Sequence, residues 1–131
     1  MPVPFAPLLN DILVAVPSAA YTTTSGTITF NTNQVTYMAL DITITSFTGG
    51  TAPNITFFID RLGPADGVWY NVYSTGALTG AGATSMDIGP GFAAATGTQH
   101  AVFTTQGRLR WAFGGTASPT AVTYSVSAIG R

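Results

Sequence analysis

The feature that most constrains the fold is an apolar/polar alternation with a period of two, sustained through three consecutive runs between Met38 and Tyr73. In the first run Met38, Leu40, Ile42 and Ile44 alternate with Ala39, Asp41, Thr43 and Thr45. In the second, Ile55, Phe57 and Ile59 alternate with Thr56, Phe58 and Asp60. In the third, Val68, Tyr70 and Val72 alternate with Trp69, Asn71 and Tyr73. Successive side chains of a strand point to opposite faces, so each run has one face for a core and one for the outside. Nowhere does an apolar period near 3.6 persist, so no helix longer than about two turns is expected.

The remaining segments extend the same pattern. Tyr21–Phe30 reads as a β run with a bulge or bend at Ser25-Gly26, and Asn31–Gln34 (NTNQ) as a turn. Thr84–Ile88 is a short strand inside a Gly-rich stretch, the kind of connection that a partner can order. Gln99–Thr105 resumes strand character. Leu109, Trp111 and Phe113 alternate with Arg108, Arg110 and Ala112, and Val122, Tyr124, Val126 and Ala128 alternate with Thr123, Ser125 and Ser127. Asp66-Gly67 marks a hairpin turn. The segment FTGGTAP at Phe47–Pro53 is echoed by FGGTASP at Phe113–Pro119, and in each the Gly-Gly pair suits a hairpin turn. Convergent turn chemistry accounts for the echo better than duplication, because nothing else in the two halves matches.

The chain therefore divides into an extended N-terminal arm, residues 1–17, and a β domain, residues 18–131. In the arm, Pro2, Pro4 and Pro7 favour an extended backbone, and no Lys or Arg precedes Arg61, which argues against a signal peptide. Ile12–Val16 reads as a short strand ended by Pro17. It either lies against its own sheet or reaches onto a neighbouring subunit.

At 131 residues the chain fits one domain with a real core. Only 7% of residues are charged, against about 25% in typical domains, and mean hydropathy is +0.35. Lone monomers usually rely on charge for solubility, so this surface points to cover by neighbours. A net charge of −1 gives no basic footprint for nucleic acid. No run reaches the roughly 18 apolar residues of a membrane-spanning helix.

No residue pattern marks a reaction. His100 has no nucleophile or carboxylate at a telling spacing. Asp11, Asp41, Asp60, Asp66 and Asp87 are scattered singly, without a calcium loop or a carboxylate pair, and no phosphate loop is present. The reading is of a non-enzyme, without metal or cofactor. Trp69 and Tyr73 are placed by simple alternation on one face, where they serve as core, as subunit contact or as a sugar-stacking platform. Arg108 and Arg110 share a face and are positioned to pair with Asp41 or Asp60, or to anchor an intersubunit contact.

Four stretches resemble small β-sandwich virion proteins of tailed bacteriophages: Gly49–Pro53, Asp66–Trp69, Arg108–Gly115 and Ser125–Arg131. The resemblance spans roughly residues 36–131 and is one of turns and aromatics, without a catalytic signature. It implies a structural protein of the virion, with a capsid decoration (cement) subunit favoured and a minor tail or head–tail component as the rival. It further implies the major capsid protein or other virion proteins as partners, and a homo-oligomer, a trimer by analogy with decoration proteins at threefold lattice positions. A carbohydrate-binding module using Trp69 and Tyr73 is the reading from a different class.

The expectation is thus an all-β, single antiparallel β-sandwich of about eight strands, jelly-roll or immunoglobulin-like. Its contact residues are expected among Pro2, Pro4, Phe5, Pro7, Leu8, Leu9, Trp69, Tyr73, Arg108 and Arg110.

Overall fold

A computed structural model describes residues 11–131. Nine strands follow in order: β1 (Asp11–Tyr21), β2 (Ser25–Asn31), β3 (Met38–Thr48), β4 (Asn54–Leu62), β5 (Trp69–Ser74), β6 (Gly82–Gly89), β7 (Thr98–His100), β8 (Gln106–Gly114) and β9 (Ala121–Gly130). One sheet has the order β1-β9-β3-β6-β7 and the other β2-β8-β4-β5. Among the described residues only β4–β5 joins neighbours as a hairpin; the chain otherwise passes back and forth between the sheets, apart from β6 to β7. Without the three-residue β7, each sheet has four strands interleaved from both halves of the chain, which is the jelly-roll arrangement and not the immunoglobulin one. The sandwich is antiparallel except where β7 runs parallel to β6.

The core lies where the alternation puts it. Met38, Leu40, Ile42 and Ile44 from β3 and Val122, Tyr124, Val126 and Ala128 from β9 are buried against Ile55, Phe57 and Ile59 from β4 and Leu109 from β8. Each fully buried large aliphatic or aromatic side chain contributes about 1.5–3 kcal/mol. Tyr124 anchors the layer with its ring centroid 5.2 Å from Phe57, edge-on, and 4.7 Å from Tyr21.

Several local expectations are corrected. The boundary at residue 17 falls inside β1, which pairs with β9 from Asp11 to Tyr21. Pro17 does not end the strand, because β1 is an edge and the register shifts between Val16 and Ala19, where a missing N–H costs no ladder bond. Ser25-Gly26 is no bulge: β2 pairs with β8 without a shift. Gly26 lies opposite Trp111, and a Cβ there would stand 2.6 Å from the indole Cζ2, so the glycine makes room for the ring.

The two Gly-Gly-Thr segments are not hairpin turns. Each carries the chain from one sheet to the other, and the two lie side by side, with Thr51 and Ala117 exchanging N–H···O bonds of 3.0 and 3.1 Å. Gly50, at φ +79, packs so closely there that a Cβ would stand 2.7 Å from the Ala117 carbonyl. Similar sequences thus make one joint structure. The Gln99–Thr105 strand is cut to Thr98–His100, since the chain then leaves the sheet. Side chains hold that crossing, through Arg61 Nη1 to the Val102 carbonyl at 3.0 Å and Thr104 Oγ1 to the Leu62 carbonyl at 2.5 Å.

Candidate functional site

The most organised polar constellation among the described residues stands on the outer face of the β2-β8-β4-β5 sheet. Strand register creates it. Asp60 on β4 lies directly opposite Arg108 on β8 and Asn71 on β5, and Phe58 lies opposite Arg110. Ile59 and Leu109 face the core, so period-two alternation sends Asp60, Phe58, Arg108 and Arg110 outward.

Asp60 is covered by its neighbours, with 2% of its side chain exposed, while Arg108 and Arg110 keep 24% and 35%. Its Oδ2 accepts from Arg108 Nε at 2.7 Å and Arg110 Nε at 3.0 Å; its Oδ1 accepts from Asn71 Nδ2 at 3.0 Å and Arg110 Nη2 at 3.3 Å. Burial alone pushes the Asp60 pKa up. The hydrogen bonds from Arg110, Asn71 and Arg108, with the Arg110 charge, outweigh it and hold the carboxyl below its ordinary 3.8.

The guanidinium groups are also stacked. The Arg108 Cζ lies 4.6 Å from the Trp69 ring centroid and the Arg110 Cζ 3.9 Å from that of Phe58. Planar contact with an aromatic face and a bidentate carboxylate is what arginine does and lysine does not. One carboxylate compensates one of the two positive charges. Among the described residues no acceptor lies on the Nη atoms of Arg108 or on Nη1 of Arg110. The result is a preorganised, partly desolvated surface with a residual positive charge and unused donors, suited to receiving a carboxylate or carbonyl from a partner.

Of the expected contact residues, Trp69, Arg108 and Arg110 come together here. Pro2, Pro4, Phe5, Pro7, Leu8 and Leu9 lie outside the described residues. Tyr73 is not in the group. β4 and β5 slip in register between Ile59 and Asp60, so that Ile59 faces Tyr73, Asp60 faces Asn71, and Val72 has no partner. This bulge breaks the alternation between Trp69 and Tyr73. Trp69 lies outside under Arg108, whereas Tyr73 packs against the core, where burial raises its phenol pKa. The flat two-ring platform that a sugar would need is therefore absent.

Asn71 and Phe58 were not foreseen as members. Asn71 bridges the bulge, donating to the Ile59 carbonyl at 3.3 Å, to Asp60, and to the Tyr73 carbonyl at 3.0 Å. An Asn in mid-strand is disfavoured and was the available signal.

Elsewhere, His100 Nδ1 accepts from the Gly91 N–H at 3.1 Å, a loop-fastening contact. Among the described residues there is no group of three or more His, Cys, Asp or Glu that could hold a metal ion. In the β4–β5 turn, Asp66 accepts from the Val68 N–H at 2.9 Å and the Tyr70 hydroxyl at 2.5 Å, the hairpin expected at Asp66-Gly67.

No family model matches the chain, and no curated protein matches it. Among solved structures, it is similar to a chain of "Structure of infectious bursal disease virus Gx strain", at 15% identity and a TM-score of 0.47, over 92% of this chain. This chain spans about a third of that one, 32% of its length.

Proposed function

We propose that this protein is a non-enzymatic structural protein of a virion, a capsid decoration subunit that stabilises the shell through protein–protein contacts. The observation that carries the reading is the Arg108–Asp60–Arg110 cluster stacked on Trp69 and Phe58. It is a rigid outer surface of the residue types enriched at interfaces, Arg and aromatics, in a chain otherwise poor in charge. The stacked guanidinium groups have already lost much of their side-chain freedom and part of their hydration, so a partner that supplies acceptors meets a smaller ordering cost. The turn-and-aromatic resemblance supplies the virion setting, and the major capsid protein is the partner it implies.

Cryo-electron microscopy of particles assembled with and without the protein tests this. The expected result is a jelly-roll-sized density at regular positions on the shell, with the Arg108/Arg110 face against a neighbour. Density confined to the tail or the head–tail junction would replace the decoration role by the rival one. Particles without the protein in any position would refute the proposal.

A further inference from the structure

The charged residues of the strands are sorted between the two sheets, while Arg131, just past the end of β9, borders the same surface depression as Asp87. The strands of the β1-β9-β3-β6-β7 sheet carry Asp11, Asp41 and Asp87 and no Lys or Arg, while those of the other sheet carry Arg61, Arg108 and Arg110 against Asp60. On the outer face of the first sheet, Asp41 lies opposite Ser85, and Asp87 lies opposite Ala39, so both carboxylates are on one surface. Asp41 Oδ1 accepts from Ser85 Oγ at 2.7 Å. No donor among the described residues lies on its Oδ2.

Asp41 sits in a shallow trough of about 510 Å³ lined by Ala15, Pro17, Thr43, Ser125 and Ser127, side chains too small to fill it. On the opposite sheet, the guanidinium groups of Arg108 and Arg110 lie stacked on Trp69 and Phe58, with unused donors.

We infer that the protein associates with a second copy of itself by placing the Arg108/Arg110 face of one molecule against the Asp41 trough of the next. The inference rests on the reading of the arginine face as a contact surface, and it names the occupant that face takes in solution, where no shell is present. The contact is heterologous, because each copy offers two different surfaces. The sheets of a sandwich pack face to face, so their outer faces point in opposite directions. A contact between them repeats along a line and leaves free ends, giving an open stack where the resemblance implies a closed trimer.

Such a contact is electrostatic and partly solvated, so it is concentration-dependent and weakened by salt. Sedimentation velocity over a concentration series, at about 20 mM and about 500 mM salt, reads it out. The expected result is a weight-average mass that rises with concentration at low salt without a plateau and falls toward the monomer at high salt. Asp41→Arg, at an exposed position outside the core, should weaken association at least ~10-fold and leave the melting temperature in place. Asp87→Asn serves as a milder change on the same face. A monomer at every concentration and salt overturns the inference, as does a mass that plateaus at a closed oligomer or association untouched by Asp41→Arg. A null result here leaves binding to the shell untouched, since that is measured on particles.

Discussion

Replacing Asp60 by Asn should unsettle the whole outer face of the β2-β8-β4-β5 sheet, and the size of the effect follows from its contacts. The carboxylate accepts four hydrogen bonds, three of them from arginine. Hydrogen bonds to charged groups contribute about 1.5–3 kcal/mol each when taken singly, and removing one partner of a fully buried ion pair costs about 3–5 kcal/mol. Arg108 and Arg110 still reach water with 24% and 35% of their side chains, which recovers part of that loss. The expected cost is about 2–3 kcal/mol. At a urea dependence of ~1.5 kcal/mol per M, the unfolding midpoint should fall by about 1.3–2 M at neutral pH. The direction with pH is also determined. Asp60 has a folded pKa below its ordinary 3.8, so its contribution is fully present above the unfolded value and is lost as pH falls through the depressed folded value. Asp60→Asn should therefore be penalised at pH 7 and lose its disadvantage at strongly acid pH. A shift below ~0.5 kcal/mol at pH 7 would show that the cluster contributes little and that its geometry does not translate into stability.

Three further outcomes follow from the packing. Burial, with a smaller effect of Tyr21, raises the Tyr124 pKa to about 12, so stability should hold below pH 10 and decline by roughly 2–3 kcal/mol as pH rises toward 12; Tyr124→Phe should flatten that alkaline decline in urea midpoints taken across the range. Gly26→Val should drive a side chain into the Trp111 indole and cost about 1–3 kcal/mol, with a change in tryptophan fluorescence marking the displaced ring. Phe57→Ala, at a position with 0% exposure, should cost about 3–5 kcal/mol by thermal unfolding.

Alternation made the core legible. Every inward residue of β9 and the inward sets of β3 and β4 follow from a period of two, because burial on one face is what that period encodes. The strand order was not legible, since which strands become neighbours depends on contacts distant in sequence. The Gly-Gly-Thr segments show why local turn chemistry misleads: the same glycines that suit a hairpin also suit two crossing loops that pair with each other. The arginine face was half legible. A shared face for Arg108 and Arg110, with Asp60 as a possible partner, came from spacing. The choice of Asp60 over Asp41 came from sheet membership, since Asp41 belongs to the other sheet. Trp69 and Tyr73 failed as a pair because a single bulge at Val72 changes the face of every residue beyond it.

The central claim, that the arginine face attaches this subunit to a shell, is tested most directly by co-sedimentation with particles assembled without the protein. Two forms should be compared: the natural chain, and a variant carrying Asp60→Leu, Arg108→Met and Arg110→Met together. The variant replaces the ion cluster by apolar side chains of similar volume, a change that is often neutral for folding, and its thermal unfolding verifies that. The account predicts saturable binding of the natural chain and loss of at least ~10-fold in affinity for the folded variant. Equal binding of both, or no binding of the natural chain, would contradict it.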